Sequence, residues 1–231
     1  MTAIVPRRSD PRPTGVRALR ALALAAATAV TTVAGIWLAG GAITNDFRAS
    51  MALTALWLVI AAAIALASFK AGRSIGIPIL AGYLIAAAAT GGYLAATTLR
   101  DKTVHERVAT GLPAMVLPAA RDEVPANVEE SRGRFRSGEH ATRGTARVIR
   151  LASGRRVLAL TSFETSAGPD LRVRIARAGA SDGAIDLGAL KGNRGDQQYD
   201  LPAGLKPRNH TVLIWCRAFS ALFGSAQLED A

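Results

Sequence analysis

The residue of this chain with the widest range of chemistry is Cys216. It is the single cysteine among 231 residues and lies in the apolar stretch VLIWCRAF near the C-terminal end. One cysteine excludes an intrachain disulfide, a Cys-x-x-Cys redox pair, a four-thiolate iron–sulfur cluster and a two-cysteine haem attachment. Three roles remain: a thiol that acts by itself, a thiolate that ligates a haem iron, and an inert side chain in a core.

The three histidines, His105, His140 and His210, are the other residues of interest as metal ligands. A blue-copper site takes two histidines and one cysteine. His210 and Cys216 are separated by about 20 Å along an extended strand, so the two side chains cannot bind one metal ion. His140 therefore remains as the histidine that folding could bring to Cys216, and no metal site is expected.

The surroundings of Cys216 in the sequence also favour an inert role. Val212, Ile214 and Cys216 share one face of a strand, and free cysteine is among the most buried residue types. Arg217 points to the opposite side of a regular strand, so it need not lower the pKa of the thiol. An exposed thiol is readily oxidised outside the cytoplasm. If Cys216 lies in such a compartment, we expect it either to be well buried or to have a chemical function.

Three apolar runs before residue 98 contain no charged residue and cover residues 21–42, 52–69 and 75–97. A hydrocarbon layer of about 30 Å needs about 20 helical residues, and a soluble helix is not apolar on every face. The runs therefore predict three transmembrane helices. They hold no histidine and no Asp, Glu, Lys or Arg, which excludes an intramembrane bis-histidine haem and a proton relay through such side chains. We interpret the three helices as an anchor.

The charges beside these runs predict the orientation. The tail, residues 1–20, carries five arginines against one acid, namely Arg7, Arg8, Arg12, Arg17 and Arg20. The first loop has one charge of each sign, whereas the second has Lys70 and Arg73. Because positively charged segments stay in the cytoplasm, we expect the N-terminus inside and everything after the third run outside the cytoplasmic membrane. If the first run is instead a cleaved signal peptide, the C-terminal part remains outside.

Beyond the third run the pattern changes to that of a β domain. Residues 98–131 carry prolines and mixed charges and predict a flexible linker, with a short helix between Asp101 and Thr110 as an alternative. From residue 132 apolar residues recur with a period of two, which predicts strands at 147–151, 157–160, 171–175 and 210–216. Turn signals separate the strands, among them Gly168-Pro169-Asp170, Ser181-Asp182, Gly192-Asn193, Gly195-Asp196 and Pro202-Ala203-Gly204. The fold class is therefore an N-terminal all-α membrane part followed by an all-β antiparallel sandwich, with 210–216 as a central strand.

Four segments of this part resemble the DM13 domain family in order and spacing. They are GEHATRGTARV, LTSFETSAGPDLRVRI, IDLGALKGNRGDQQYDLPAGL and VLIWCRAFSALFGSAQL. The resemblance covers residues 132–229. The residues that match the family's turn, its LGxLKGN stretch and its YxxP motif are Gly168, Pro169, Asp170, Leu187, Gly188, Leu190, Lys191, Gly192, Asn193, Tyr199 and Pro202. The stretch from Ile175 to Asp186 is shorter than is usual in the family.

The resemblance implies an all-β module outside the cytoplasm that takes part in electron transfer at the cell surface. The cysteine of the family is thought to act as a free redox thiol or to hold a prosthetic group such as haem, and it matches Cys216. The aromatic positions match Trp215, Phe219 and Phe223, and the early HxxxG histidine matches His140. The same residues have ordinary structural explanations, because aromatic side chains usually pack in a core and Asp170 suits a turn.

The leading hypothesis is a membrane-anchored redox accessory in which Cys216 is the reactive or cofactor-binding atom and His140 a second participant. The cofactor is unknown, with haem left open. The rival hypothesis is a binding or scaffold module of the cell envelope with Cys216 inert in the core. A hydrolase with a Cys–His pair comes third, because a central strand presents a nucleophile poorly.

The partners expected from the sequence are the membrane and a redox protein of the envelope. The formal net charge of +11 does not indicate nucleic acid, because the basic residues are dispersed and do not alternate with aromatic ones. The sequence leaves the oligomeric state open.

Overall fold

The structure is a computed structural model that describes residues 14–44, 46–113, 127–180 and 183–231. Most of the predicted basic tail and the turn signal Ser181-Asp182 lie outside the described residues. The chain divides into two compact units. The helical unit contains the described residues up to Ala39 together with Met51–Gly91, and the β unit contains Gly40–Ser50 together with Gly92–Ala231.

Three long apolar helices form the N-terminal part, as the sequence predicts. They are α1 (Thr14–Gly41), α2 (Phe47–Ala67) and α3 (Arg73–Thr98), with a 3-10 turn at Ser68–Ala71. The backbone N–H of Ala49 donates to the Asp46 carboxylate over 2.7 Å, which caps the first turn of α2. Many large apolar side chains of these helices are exposed. The three helices are long and apolar enough to cross a membrane.

Close packing within the helical unit occurs at two glycines that the sequence analysis did not single out. A Cβ at Gly35 would lie 2.0 Å from the ring of Trp57, and one at Gly82 would lie 2.2 Å from the carbonyl oxygen of Ala25. At Gly91 and Gly92 a Cβ would meet no atom within 4 Å of the described chain. Small residues let helix backbones approach each other, and Gly82 has that role here, whereas Gly35 makes room for the Trp57 ring.

The β unit is a sandwich of two sheets rich in antiparallel pairs. Its strands are β1 (Thr103–His105), β2 (Leu112–Pro113), β3 (Val128–Arg134), β4 (Arg136–Ser137), β5 (Thr142–Arg150), β6 (Arg156–Thr165), β7 (Leu171–Arg177), β8 (Ile185–Ala189), β9 (Arg194–Asp200), β10 (His210–Cys216), β11 (Ala221–Gln227) and β12 (Glu229–Asp230). The seven-stranded sheet has the order β1-β9-β6-β5-β3-β12, with β2 beside β3. The five-stranded sheet has the order β4-β11-β10-β7-β8. The predicted sandwich and the central position of 210–216 are confirmed.

The described part of the segment predicted as a flexible linker, residues 98–113 and 127–131, contains strands, and residues 114–126 lie outside the described residues. Within it, β1 pairs in parallel with β9, and β2 pairs in parallel with β3. The helix considered between Asp101 and Thr110 was wrong, because β1 occupies part of that stretch. Gly195 makes the pairing feasible, since its φ is +96° and a Cβ there would lie 2.0 Å from the Val104 carbonyl oxygen. Gly195-Asp196 therefore lies inside β9 and is not the predicted turn.

The main core lies between the two sheets. Alternate residues of β7 and β10 point into it, as the period of two predicts, and the seven-stranded sheet supplies the opposing side chains. A second, smaller cluster of Ile149, Val157 and Ala159 lies elsewhere and is packed against Val108, Ala109 and Leu151. The segment that follows β1 therefore covers apolar side chains that solvent would otherwise reach.

Candidate functional site

Cys216 is the last residue of β10 and is 1% exposed. Its neighbours across the sheet are Leu171 on β7 and Ala221 on β11. Its side chain belongs to the main core cluster, together with Val212 and Ile214 of the same strand. The predicted common face of these three residues is therefore confirmed, and the thiol is closed to solvent in the resting structure.

The pKa of the Cys216 thiol is raised from its ordinary value of 9.0. Burial is the largest cause, because it penalises the charged thiolate. The backbone amides of Phe219, Asp170 and Ala218 act on the sulfur as hydrogen-bond donors and lower the pKa, by less than burial raises it. The negative charge of the Asp170 carboxylate raises the pKa further. The sulfur is consequently a neutral thiol at neutral pH.

Two short irregular segments supply these amides. One is the turn that contains Asp170, and the other is the loop 217–220 that joins β10 to β11. The backbone N–H of Arg217 donates to the Asp170 carbonyl oxygen over 2.9 Å. The Arg217 Nε donates to the Asp170 carboxylate over 2.7 Å. We call this pair of contacts the Asp170–Arg217 clasp; it holds the turn and the loop together at the end of β10.

The turn and the LKGN stretch come together at one cleft of about 370 Å³. The motif residues that line it are Gly168, Pro169, Asp170, Lys191, Gly192 and Asn193. Two further cationic residues, Arg100 and Lys102, also line the cleft. Asp170 therefore belongs both to the wall of the cleft and to the surroundings of the Cys216 sulfur. The structure thus unites two motifs that lie about 20 residues apart in the chain.

A buried glutamine that the sequence analysis missed organises the LKGN stretch. Gln197 on β9 is fully buried, and its Oε1 accepts hydrogen bonds from the Lys191 N–H and the Tyr199 hydroxyl over 3.1 and 2.8 Å. Its Nε2 donates to the Gly192 carbonyl oxygen over 2.8 Å. Both ends of the amide are therefore paired, as a buried polar group requires. A glutamine in an otherwise alternating strand is the signal that could have indicated this role.

Lys191 and Asn193 bind the segment around β1. The Lys191 Nζ donates to both Glu106 carboxylate oxygens over 2.8 Å, and this hydrogen bond is the main cause of the lowered pKa of Glu106. The Asn193 side chain accepts from the Lys102 N–H over 2.6 Å and donates to Asp101 over 2.8 Å. These motif residues therefore hold residues 101–106 against the sandwich. The sequence did not indicate the role of Glu106, because its partner Lys191 is distant in the chain.

The remaining motif residues have structural positions. Tyr199 is buried, and burial raises the pKa of its hydroxyl. Pro202 is exposed and begins the turn after β9, where its carbonyl oxygen accepts from Leu205 over 3.2 Å. Gly188 has a φ of +125°, a conformation that favours glycine. Its N–H donates to the Asp186 carboxylate over 2.8 Å.

The aromatic positions divide between the two sides of the sheet. Trp215 is half-buried on the face opposite Cys216, with the Arg174 guanidinium 5.7 Å from its ring centre. Phe223 lies in the core and stacks on His140, with ring centres 3.9 Å apart. Phe219 packs partly buried against the same core. His140 therefore contacts Phe223, and the polar groups that act on the Cys216 sulfur are three backbone amides and the Asp170 carboxylate, not the imidazole.

A haem does not fit the resting surroundings of Cys216. The sulfur is buried among core side chains, so a haem iron could reach it only if those side chains were displaced. Among the described residues no group of three or more His, Cys, Asp or Glu side chains is arranged to hold a metal ion. We therefore derive no chemistry through haem or a metal ion.

Most of the β unit matches one known protein family. Residues 134–228 match the family described as "Electron transfer DM13". No curated protein and no solved structure matches the chain. The C-terminal domain is thus a DM13 domain, and it follows three helices that are apolar enough to cross a membrane.

Proposed function

We propose that this protein, a DM13 domain behind three candidate membrane helices, is a membrane-anchored accessory of electron transfer that uses Cys216 as its redox thiol. The domain lies outside the cytoplasmic membrane, and its partner is a redox protein of the envelope. The family description supports electron transfer. The charges beside the helices support the orientation.

The observation that carries the proposal is the position of Cys216 at the end of its strand. The groups that act on its sulfur belong to the loop 217–220 and to the turn at Asp170. Irregular segments open locally at a lower free energy than the strands of a core. Opening of the Asp170–Arg217 clasp would therefore admit solvent and a partner to the sulfur while both sheets remain folded.

The chemistry in the open form is thiol–disulfide exchange. Cys216 loses its proton, and the thiolate attacks one sulfur of a disulfide on the partner protein. A bond forms between Cys216 and that sulfur as the disulfide of the partner breaks. The other sulfur leaves as a thiolate and takes up a proton. Cys216 is thereby oxidised to a mixed disulfide, and one sulfur of the partner is reduced to a thiol.

Oxidised glutathione serves as a small disulfide to test this step on the full chain in detergent. We expect the Cys216–glutathione mixed disulfide to form under native conditions and to be reversed by a reducing thiol, as followed by intact-protein mass spectrometry. Asp170→Asn removes the ionic half of the clasp. This substitution should accelerate the reaction about fivefold, the effect of about 1 kcal/mol in the opening equilibrium.

The matched control is Asp200→Asn, which breaks an exposed ion pair with Arg155 of similar geometry, 2.6 Å, away from the clasp. It should leave the rate of mixed-disulfide formation unchanged. If wild type and both variants react only as fast as the β domain unfolds globally in urea, then Cys216 is not a redox thiol.

That result would favour the second proposal, a binding or scaffold module of the envelope with Cys216 as a core residue. The specific observation in its favour is the burial of the sulfur, together with the raised pKa of the thiol. Under this proposal Cys216→Ala keeps the biological activity of the protein as long as the domain folds. Under the redox proposal the same substitution abolishes it.

The orientation has its own test. Alkaline phosphatase is active only after export from the cytoplasm, so a fusion after Ala231 should be active. A fusion within the second loop, after Ala71, should be inactive. The opposite pattern would place the DM13 domain in the cytoplasm and would remove the electron-transfer partner proposed here.

A further inference from the structure

A second surface of the β domain carries an arginine-lined cleft that is independent of Cys216. Its volume is about 630 Å³. The residues that line it are Arg132, Gly133, Arg134, Arg136, Thr145, Arg147, Thr211, Ser225, Gln227 and Glu229. Four guanidinium groups and three hydroxyl groups therefore face one concave surface, with one carboxylate among them. We call it the arginine cleft.

The backbone around β3 and β4 explains the concentration of charge. Arg132, Arg134 and Arg136 are exposed, and the residues between them, Gly133 and Phe135, are buried. Alternate residues of an extended chain share a face at a spacing of about 7 Å. The three guanidinium groups consequently form a row along one side of the cleft.

Gly133 closes one side of the cleft. A Cβ at this position would lie 2.1 Å from the carbonyl oxygen of Gln227, so only glycine permits the approach of β3 to the end of β11. Ser225 and Gln227 on β11 thereby come beside the arginine row. The fold therefore builds this surface by a close backbone contact and does not leave it to mobile side chains alone.

The charges of the row are only partly compensated. Arg132 and Arg147 share the buried Glu129 carboxylate, at 3.3 and 3.6 Å. The buried Nε of Arg147 has no hydrogen-bond acceptor within the described part of the chain. Arg134 and Arg136 form no ion pair with any described residue. The two guanidinium groups of Arg134 and Arg136 are thus available to an anion in the cleft.

We propose that the arginine cleft binds a phosphate-bearing anion. Guanidinium groups donate paired hydrogen bonds to phosphate oxygens, and such charge-assisted bonds are stronger than neutral ones. The hydroxyl groups of Thr145, Thr211 and Ser225 supply further donors at the same surface. A row of guanidinium groups suits a ligand with more than one phosphate, or a surface that presents phosphates side by side. The phosphate comes either from a soluble polyphosphate or from the headgroup of a lipid.

The test uses the full chain in a non-ionic detergent, which contains no phosphate, and isothermal titration calorimetry. Inorganic tripolyphosphate represents the soluble source, and glycerophosphoglycerol represents a lipid headgroup. We expect the protein to bind one of the two probes, and the affinity to fall as sodium chloride is raised. Tighter binding of tripolyphosphate indicates the soluble source, and tighter binding of glycerophosphoglycerol indicates the headgroup.

The double variant Arg134→Gln/Arg136→Gln should lower the affinity for the more tightly bound probe about tenfold, because it removes both uncompensated guanidinium groups. Arg107→Gln/Arg177→Gln is the matched control, since it removes two exposed positive charges elsewhere on the domain. The control should change the affinity less than twofold. Equal weakening by both double variants, or no binding of either probe at millimolar concentration, would overturn the proposal. Neither outcome bears on the redox role of Cys216.

Discussion

Two buried regions of the DM13 domain, around Gln197 and around Cys216, differ in how their polar atoms are hydrogen-bonded. Both ends of the Gln197 side-chain amide are hydrogen-bonded. Through Lys191, Gly192 and Tyr199 these bonds join the LKGN stretch to β9. Around Cys216 the core side chains are apolar, and the polar groups that act on the sulfur are three backbone amides and the charge of the Asp170 carboxylate. The Gln197 region is held by directional hydrogen bonds, and the Cys216 region is held by the close packing of apolar side chains.

This difference indicates which region can open. A network of paired polar groups loses several bonds together when one member moves. The end of β10 is instead held by core packing and by the Asp170–Arg217 clasp, whose side-chain part is half exposed on Arg217. We therefore infer that the Gln197 region is the rigid part of the domain and that the end of β10 opens first.

Substitution of Gln197 should give the largest loss in the free energy of unfolding and would test whether the Gln197 region is the rigid part of the domain. Gln197→Leu leaves the Lys191 N–H, the Tyr199 hydroxyl and the Gly192 carbonyl without their buried partner, which should lower the free energy of unfolding by about 3–5 kcal/mol. Tyr199→Phe, which removes one of these bonds, should cost about 1 kcal/mol. Urea unfolding can be followed by hydrogen exchange of the β5 and β6 amides, because these strands lie inside the seven-stranded sheet and do not share the local opening expected at Cys216.

A core substitution on the strand of Cys216 should have a slightly smaller effect. Ile214→Ala removes a fully buried side chain from the main core and should cost about 3 kcal/mol. Leu213→Ala, on the opposite and half-buried face, should cost about 1 kcal/mol. Hydrogen exchange of the β5 and β6 amides in urea again measures both. Equal costs for the two variants would contradict the assignment of the faces.

Alkaline pH should affect the two regions in sequence. The pKa of Cys216 is raised in the folded state, so the unfolded chain releases this proton first, near pH 9.0. The stabilisation is complete below that pH and is lost above it, by up to about 1.4 kcal/mol per pH unit. Cys216→Ala should therefore show a shallower loss of melting temperature between pH 9 and 10 than wild type.

Tyr199 gives the second step of the same experiment. Burial raises the pKa of its hydroxyl from the ordinary value of 10.0, so its contribution is lost from about pH 10 upward. Tyr199→Phe should flatten the curve only in this higher range. If neither variant differs from wild type in shape, burial does not control these two groups. Differential scanning calorimetry supplies the measurement for both.

The smallest effect is expected at an ion pair of the seven-stranded sheet. Hydrogen bonds from Arg156 and Arg150 lower the pKa of Glu130, with Arg156 as the main cause. This stabilisation is present above pH 4.5 and is lost as the pH falls below it. Glu130→Gln should therefore cost up to about 1 kcal/mol at pH 7 and less at pH 3. Calorimetry at the two pH values provides the comparison.

The sequence predicted those parts of the fold that depend on local patterns. Apolar runs of sufficient length indicated the three helices, and alternation along 210–216 indicated both a central strand and the buried face of Cys216. The strands at 103–105 and 112–113 were missed, because a strand of two or three residues is defined by its partner and not by its own residues. Gly195-Asp196 looked like a turn for the same reason: its φ of +96° serves a close approach to β1.

The candidate site was predicted only in part. Cys216 was found as the single cysteine, and the functional interest of the turn and LKGN residues came from the family resemblance. The structure joins those two motifs at one cleft. Gln197 and Glu106 were missed, because their roles depend on contacts made after folding. The bond between Glu106 and Lys191 joins residues 85 positions apart. His140 stacks on Phe223 in a way that no spacing rule predicts.

The pairing of β1 with β9 has a practical consequence for any excised form of the domain. A fragment that starts at residue 132 leaves the edge of β9 without its neighbour and strips Val108 and Ala109 from the smaller apolar cluster. Open strand edges recruit other chains, so such a fragment should self-associate and precipitate. A fragment that starts at residue 99 keeps the edge covered and should remain monodisperse.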